Sequence, residues 1–213
     1  MTAILTTARL VFKDSAARQK AIDAFHKIIE FTTPHEPEVL QYVCALPVDD
    51  SSRTEIYMIE EYANQAASDA HLTTKPVQDL IQLFTTGDVL AQPPEVHNCP
   101  IITKKTSSPV PISSSPAIVL MNIPSKPDAS ATKEAEKWSE LSQIVMKTVK
   151  GVNSFTVVED RGAKSTRVEC VLQSWDSVAA YQEFMVDGRR DGADLVKIRP
   201  TDGFTGRDSS SKL

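Results

Sequence analysis

The sequence predicts an α+β fold made of two copies of one plan, the β-α-β-β-α-β ferredoxin-like unit. Three observations predict it. Strand-like and helix-like stretches follow one another in the same order in residues 1–103 and again in residues 117–204. Between them, residues 104–116 hold three prolines and five serines. Such a stretch lacks backbone donors and apolar area, and it reads as a linker. The size also fits, because 213 residues with 41% hydrophobic and 24% charged side chains suit one large or two small domains. Each unit leaves one sheet face bare of helices. Two units in one chain can cover each other's bare faces, and pairing between chains into a homodimer stays open.

In the first unit, Ile4 to Phe12 is expected as a strand. Asp14 or Ser15 caps a helix to about Phe31, with Ala21, Ile22, Phe25, Ile28 and Ile29 as its apolar stripe. Val39 to Leu46 and Glu55 to Tyr62 follow as strands. Asn64 caps a short helix through Leu72, and Pro76 sits in the first turn of another through about Phe84. Val96 to Thr103 closes the unit as a strand. In the second unit, Ala117 to Ile123 is a strand, and Asp128 or Ser130 caps a helix to about Val149. Its apolar face holds Trp138, Leu141, Ile144, Val145 and Thr148. Asn153 to Glu159 and Arg167 to Trp175 are strands, Asp176 or Ser177 caps a helix through about Met185, and Leu195 to Arg199 is a short last strand. Residues 205–213 read as a polar, flexible tail.

Composition excludes several functions. A net charge of −5 and a pI near 5.4 give no footprint for nucleic acid. The pairs Lys104-Lys105 and Arg189-Arg190 read as solvated loop charge. No apolar run approaches the ~20 residues of a membrane span, and the first residues lack the basic region of a signal peptide. Three cysteines without CxxC spacing argue against a disulfide framework and a zinc site, and Cys44 and Cys170 fall in apolar strand-like runs. No Gly-rich phosphate loop, GxSxG or HExxH occurs. With seven glycines a dinucleotide is not expected, and the reading includes no cofactor and no metal. The last residues, Ser211, Lys212 and Leu213, form the address read by the peroxisomal import receptor, so the peroxisomal matrix is the expected location.

From Glu36-Pro37-Glu38-Val39-Leu40-Gln41-Tyr42 onward the chain resembles a known family. The pattern continues in Ile56-Tyr57-Met58-Ile59-Glu60-Glu61-Tyr62 and in Asn64-Gln65-Ala66-Ala67-Ser68-Asp69-Ala70-His71. This resembles the antibiotic biosynthesis monooxygenase domain of the dimeric α+β barrel superfamily, over roughly residues 1–103. The second unit is similar in layout only. Glu38 stands where the family has glycine, and Tyr62 where tryptophan is more common. The resemblance implies a barrel of two units, with the face that carries Glu60 and Tyr62 pointing into it. Its members include oxygenases, isomerases and haem-degrading enzymes, so it implies no single reaction.

Comparing the halves singles out candidate residues. Setting Tyr62 against Trp175 places Glu60 opposite Gln173 and His71 opposite Phe184. Setting Val39 against Val152 places Tyr42 opposite Phe155 and His35 opposite Thr148. The first half keeps titratable groups where the second has none. Strand alternation puts Glu60 and Tyr62 on one face. A carboxylate, a phenol and an imidazole in an apolar cavity can bind and deprotonate a phenolic or enolic molecule. Burial penalises the charged forms of Glu60 and His71, so either could act as base near neutral pH. The bland readings stand beside this one. His71 could meet only the last carbonyls of its helix. Glu60 could pair with Arg9 or Arg53, and Tyr42 and Tyr62 could be core aromatics with a satisfied hydroxyl. His35, beside a proline, is expected in a loop, His26 at the surface, and Trp138 and Trp175 in packing.

The leading functional expectation is a cofactor-independent monooxygenase acting on a small, electron-rich aromatic substrate of phenol or anthrone type. His71 or Glu60 would be the base, and Tyr42 and Tyr62 would orient the substrate. The alternatives are an isomerase or decarboxylase acting through an enol, and a non-catalytic binding protein for a hydrophobic metabolite. Haem degradation fits less well, because the first strand has no asparagine.

Overall fold

The computed structural model describes residues 2–107, 109–125, 131–187 and 193–207. The expected caps Asp128 and Ser130, the Arg189-Arg190 pair and the Ser211-Lys212-Leu213 address lie outside these residues. The first unit comprises β1 (Ile4–Val11), α1 (Ser15–His35), β2 (Val39–Pro47), β3 (Glu55–Tyr62), α2 (Gln65–Leu72), α3 (Lys75–Thr86) and β4 (Glu95–Thr106). The second comprises β5 (Ala117–Pro124), α4 (Ala131–Thr148), β6 (Val152–Asp160), β7 (Ser165–Leu172), α5 (Asp176–Asp187) and β8 (Asp194–Phe204). The eight strands close into one barrel, in the order β1-β3-β2-β8-β5-β7-β6-β4. Each unit contributes an antiparallel sheet of four strands, and the two sheets are joined edge to edge by β2–β8 and β4–β6.

Alternation along the strands sorts side chains into three cores. Leu5, Val43, Ile59, Cys99, Ile118, Val171 and Ile198 fill the barrel lumen. Leu10, Phe12, Tyr42, Cys44, Ile56 and Tyr62 pack against Phe25 and Ile28 of α1 on the outside of the first sheet. Val119, Phe155, Cys170 and Leu172 pack against Trp138 of α4 and Tyr181 of α5 outside the second. Trp175 packs at the edge of that core under the Arg199 guanidinium. All three cysteines are free and buried.

The elements form where expected, and their ends differ for reasons that lie far away in sequence. Strand β4 runs to Thr106, into the linker stretch, because Lys104, Lys105 and Thr106 pair with Thr156, Phe155 and Ser154 of β6. Lys104 is therefore not loop charge. It turns into the lumen and pairs with the buried Glu61. Strand β8 reaches Phe204, well past Arg199, because it pairs with β5 and then with β2. At that seam Gly203 has φ +112°, and a Cβ there would meet the Tyr42 carbonyl oxygen at 2.0 Å, so only glycine fits. Strand β7 ends at Leu172, and the chain turns where the amide of Gln173 donates to Gly151 O, 2.8 Å away. The tail is tied down as far as Arg207, with Thr205 bonded to both the amide and the carbonyl of Val110.

Helix α1 starts as expected, with the Asp14 side chain accepting from the amide of Ala17 at 2.7 Å. It ends four residues later than expected, at His35 rather than near Phe31. Arg207 explains this. Its guanidinium donates to the carbonyls of Thr32, Thr33, Glu36 and Val39 at 2.6–3.1 Å, which satisfies the last turn and the start of β2. His35 thus sits in the helix, stacked on Phe31, and not in a loop.

A polar layer crosses the lumen. Gln41 of β2 donates to Glu169 of β7 from the opposite wall. Burial pushes the Glu169 carboxyl up to about 7, against the opposing effects of the Gln41 hydrogen bond and the Lys104 charge. The fold therefore favours the neutral acid. Stability is retained below the ordinary carboxyl range and is lost as pH rises towards 7, where the unfolded chain is already ionised. Replacing Glu169 by Gln should remove that loss. In chemical denaturation the variant should gain on the wild type by ~2–3 kcal/mol between about pH 5 and about pH 8. An equal pH dependence in both proteins would refute the assignment.

Candidate functional site

The four predicted residues meet in one buried cluster on the helix-facing side of the first sheet. Tyr42 lies on β2, Glu60 and Tyr62 on β3, and His71 in the last turn of α2. Each is no more than 6% exposed. The expectation that this face points into the barrel is corrected. Glu61 and Ile59 take the lumen side, so the alternating partners Glu60 and Tyr62 face α1 and α2.

The local sequence accounts for each position. Asn64 caps α2, accepting from the amide of Ala67 at 3.0 Å, and this sets the direction in which the helix returns over the sheet. Two turns later His71 arrives above β2 and β3, between the two tyrosines. Its ring lies 5.5 Å from that of Tyr42 and 5.6 Å from that of Tyr62. A one-residue bulge between Val39 and Gln41 brings Tyr42 level with Glu60.

The hydrogen bonds are directional. Tyr62 donates to Glu60 Oε2, and the Tyr42 phenol stands beside the same carboxylate, level with it across the strand pair. His71 Nδ1 lies 3.0 and 3.1 Å from the two carboxylate oxygens of Glu36, and its Nε2 lies 3.9 Å from Glu60 Oε1. Glu36 also accepts from Thr32 Oγ1 at 2.6 Å. In the neutral ring, the Glu36 carboxylate draws the proton to Nδ1 and leaves the electron pair of Nε2 facing Glu60 and the two phenols. Burial raises the Glu60 carboxyl above its usual range, opposed by His71 and by both tyrosine hydroxyls. Both phenols are raised as well, first by burial and then by the Glu60 charge. They stay protonated and act as donors.

The geometry bears on the bland readings of Glu60 and His71, and the Tyr62 hydroxyl is satisfied by Glu60 as its own bland reading expects. Arg9 donates to Glu55 at 2.7 and 2.8 Å on the lumen side, so it does not hold Glu60. His71 turns its ring to Glu36 rather than to its own helix end. Glu36 is the member that the sequence did not mark as a candidate. The signal that could have found it is the comparison of halves, because the strand registers put Glu36 opposite Val149. His35 stacks on Phe31, and His26 is exposed beside Glu30 and Asp202. Neither joins the cluster.

The pairings also revise the internal alignment. Val39 and Val152 each pair with the last residue of the neighbouring strand, Tyr62 and Leu172. Tyr62 is thus matched by Leu172, not by Trp175. Glu60 is matched by Cys170 and Tyr42 by Phe155, as expected for the latter. The Tyr42–His71 ring pair corresponds to Phe155–Tyr181. The second half fills the equivalent space with a thiol, a phenol and apolar groups, so the expectation of no titratable group there is corrected: Cys170 and Tyr181 match Glu60 and His71, and the Tyr181 hydroxyl donates to Met121 Sδ at 3.5 Å.

No family model and no curated protein matches the chain. Solved structures do match it along its whole length. One is a candidate monooxygenase from Lactobacillus acidophilus NCFM, with a TM-score of 0.77 and 17% identity, covering 96% of this chain and 97% of that one. Another, from Fusobacterium nucleatum, also a candidate monooxygenase, has a TM-score of 0.79 and 15% identity, with 97% of each chain covered. An anthrone oxidase-like protein has a TM-score of 0.65 and 11% identity, covering 100% of this chain and 96% of that one. The protein thus shares its fold with these three proteins along its whole length, in keeping with the barrel of two units that the resemblance carried by Glu36 to His71 implies.

Arg207 holds the carbonyl of Glu36 and the ends of the two elements that flank it. Arg207→Ala is expected to lower stability by about 2 kcal/mol in urea denaturation, because it strips a charged donor from several carbonyls at once. Arg207→Lys should recover less than half, since an ammonium cannot reproduce the planar fork. Full recovery by lysine would show that charge alone matters.

Proposed function

We propose that the protein is a cofactor-independent monooxygenase acting on a small, electron-rich phenol or anthrone. The observation that carries this reading is the Glu36–His71 pair, with Nε2 directed at Glu60 beneath two phenols, in one half only. In the reaction, His71 Nε2 removes a proton from the substrate carbon next to its aromatic rings. Glu36 compensates the imidazolium that forms. Tyr42, Tyr62 and Glu60 hold the substrate oxygen by hydrogen bonds. The carbanion passes its electrons to dioxygen, and a C–O bond forms. The O–O bond then breaks, so that a methylene and dioxygen give a carbonyl and water. Enclosure protects the carbanion from reprotonation by solvent. The four side chains are shut off from solvent, so entry requires outward movement of α2, an eight-residue helix held in place by one face.

The full-length likeness to an anthrone oxidase-like protein supports the choice of substrate class. Oxygen uptake with anthrones and hydroquinones as substrates is the test. His71→Ala is expected to lower kcat about 10²–10⁴-fold, and Glu36→Gln to lower it less and to shift the pH profile. Turnover that persists without oxygen would instead establish the enol isomerase reading. Uptake unchanged in both variants would remove the cluster from the mechanism.

The peroxisomal location belongs to the same proposal and rests on Ser211, Lys212 and Leu213. An N-terminally tagged protein is expected to give punctate fluorescence that turns diffuse when Leu213 is deleted. Unchanged puncta would refute the address.

A further inference from the structure

The barrel lumen opens at one end into a pocket, separate from the His71 cluster and on the other face of the sheets. It is a cavity of about 320 Å³ at the end of the barrel where β3, β4, β7 and β8 begin and β1 and β5 finish. That volume suits a small organic molecule. Leu5, Leu120, Val196 and the ring of Tyr57 give it apolar walls.

Its polar lining is chemically one-sided. Glu169 is 1% exposed, and its Oε1 accepts from Gln41, while its Oε2 has no partner among the described residues. Asn122 Oδ1, also on the lining, is buried and unpartnered in the same way. A buried oxygen without a donor costs free energy unless a ligand or water supplies one. Asn122 Oδ1 accepts, and Glu169 Oε2 accepts once its carboxyl gives up its proton, so the group that satisfies both is a donor. The cations in the lining are already engaged. Arg9 is forked onto Glu55, and Arg167 bonds Asp160 at 2.9 Å and His97 at 2.7 Å. Carboxylates outnumber guanidinium groups on the lining, and Asp194 at the rim forms no ion pair among the described residues.

We propose that the lumen cavity is a binding site for a small organic cation, a protonated amine on an apolar body. Its ammonium group is held by Glu169 and Asn122, and its body lies against Leu5, Leu120 and Val196. An anion would meet the uncompensated carboxylates, and a purely apolar molecule would leave both oxygens unpaired. The ammonium also supplies the counter-charge that Glu169 lacks. The other groups facing Glu169 are Gln41, the hydroxyl of its cross-strand neighbour Thr156, Lys104 and Glu61, and the two charged ones are bound to each other. The site is independent of the proposed oxygenase reaction.

Titration calorimetry on the full chain at about pH 7 tests this, with benzylamine, benzyl alcohol and benzoate as matched probes. Benzylamine is expected to bind saturably at one site, at least about tenfold tighter than either neutral or anionic analogue. Its binding should release protons, seen as a heat that depends on the buffer, because the ammonium draws Glu169 into its ionised form. Glu169→Gln should weaken benzylamine about tenfold or more and abolish the proton release. Leu120→Trp fills the cavity without touching a charge, and it should block binding even if the first variant folds poorly. His71→Ala should leave binding unchanged. Equal affinity for amine and alcohol, or amine binding that survives Leu120→Trp or is lost in His71→Ala, would overturn the proposal.

Discussion

A sheet that carries helices on one face must bury its other face, and in this chain each of the two sheets is the other's cover. Everything else depends on that closure. The seams β2–β8 and β4–β6 complete the backbone hydrogen bonding of four strands that would otherwise be open edges. They also set the register that decides which side chains share the lumen. Gly203 shows how tight this constraint is, since its missing side chain is what lets β8 approach the Tyr42 carbonyl. The same seam delivers Arg207 to the end of α1. A residue of the second unit's tail thereby holds the backbone of Glu36, which in turn orients His71.

The two units share a plan and divide the chemistry. The outer core of the first unit contains Glu36, Glu60, His71 and two phenols, linked by hydrogen bonds in which nearly every donor faces an acceptor. Such a network is stable only when complete, because each unpaired member would carry a desolvation cost. The second unit has Val149, Cys170, Tyr181, Phe155 and Leu172 at the matching places, with no carboxylate or imidazole among them and the one hydroxyl donating to Met121 Sδ. A buried, connected network of carboxylates, imidazole and phenols is thus confined to one of two equivalent spaces, and the other closes with a thiol and a single phenol. That contrast is what the proposed function rests on.

Local signals made much of this legible in the sequence. The Asp14 and Asn64 caps and the alternation in β2 and β3 placed the start of α1 and the bounds of β2, β3 and α2 within a residue. Alternation also put Glu60 and Tyr62 together, and the comparison of halves singled out His71 and Tyr42. What stayed hidden was set by partners distant in sequence. The length of β4 depends on β6, that of β8 on β2, and that of α1 on Arg207. The face that Glu60 occupies could not be read from alternation, which groups residues without saying which side is inside. The lumen set was invisible for the same reason: Gln41 and Glu169 stand 128 residues apart and meet only because the barrel closes. Trp175 misled the alignment by three positions because an aromatic beyond the end of β7 imitated the end of β3.

Joining the units in one chain changes what the lumen can contain. The strand registers match Glu169 with Ile59, Glu61 with Val171 and Lys104 with Gly203. In a symmetric pair of identical units every lumen residue would occur twice. A second buried carboxylate facing Glu169 would add like-charge repulsion to a group that burial already disfavours. The tandem removes that penalty, because one sheet can supply the acid while the other supplies an isoleucine at the equivalent place. The linker is thus more than a tether. By freeing the halves from symmetry, it permits a polar network outside one sheet and a different, acidic cavity between the two, each lined by residues that the opposite unit does not repeat.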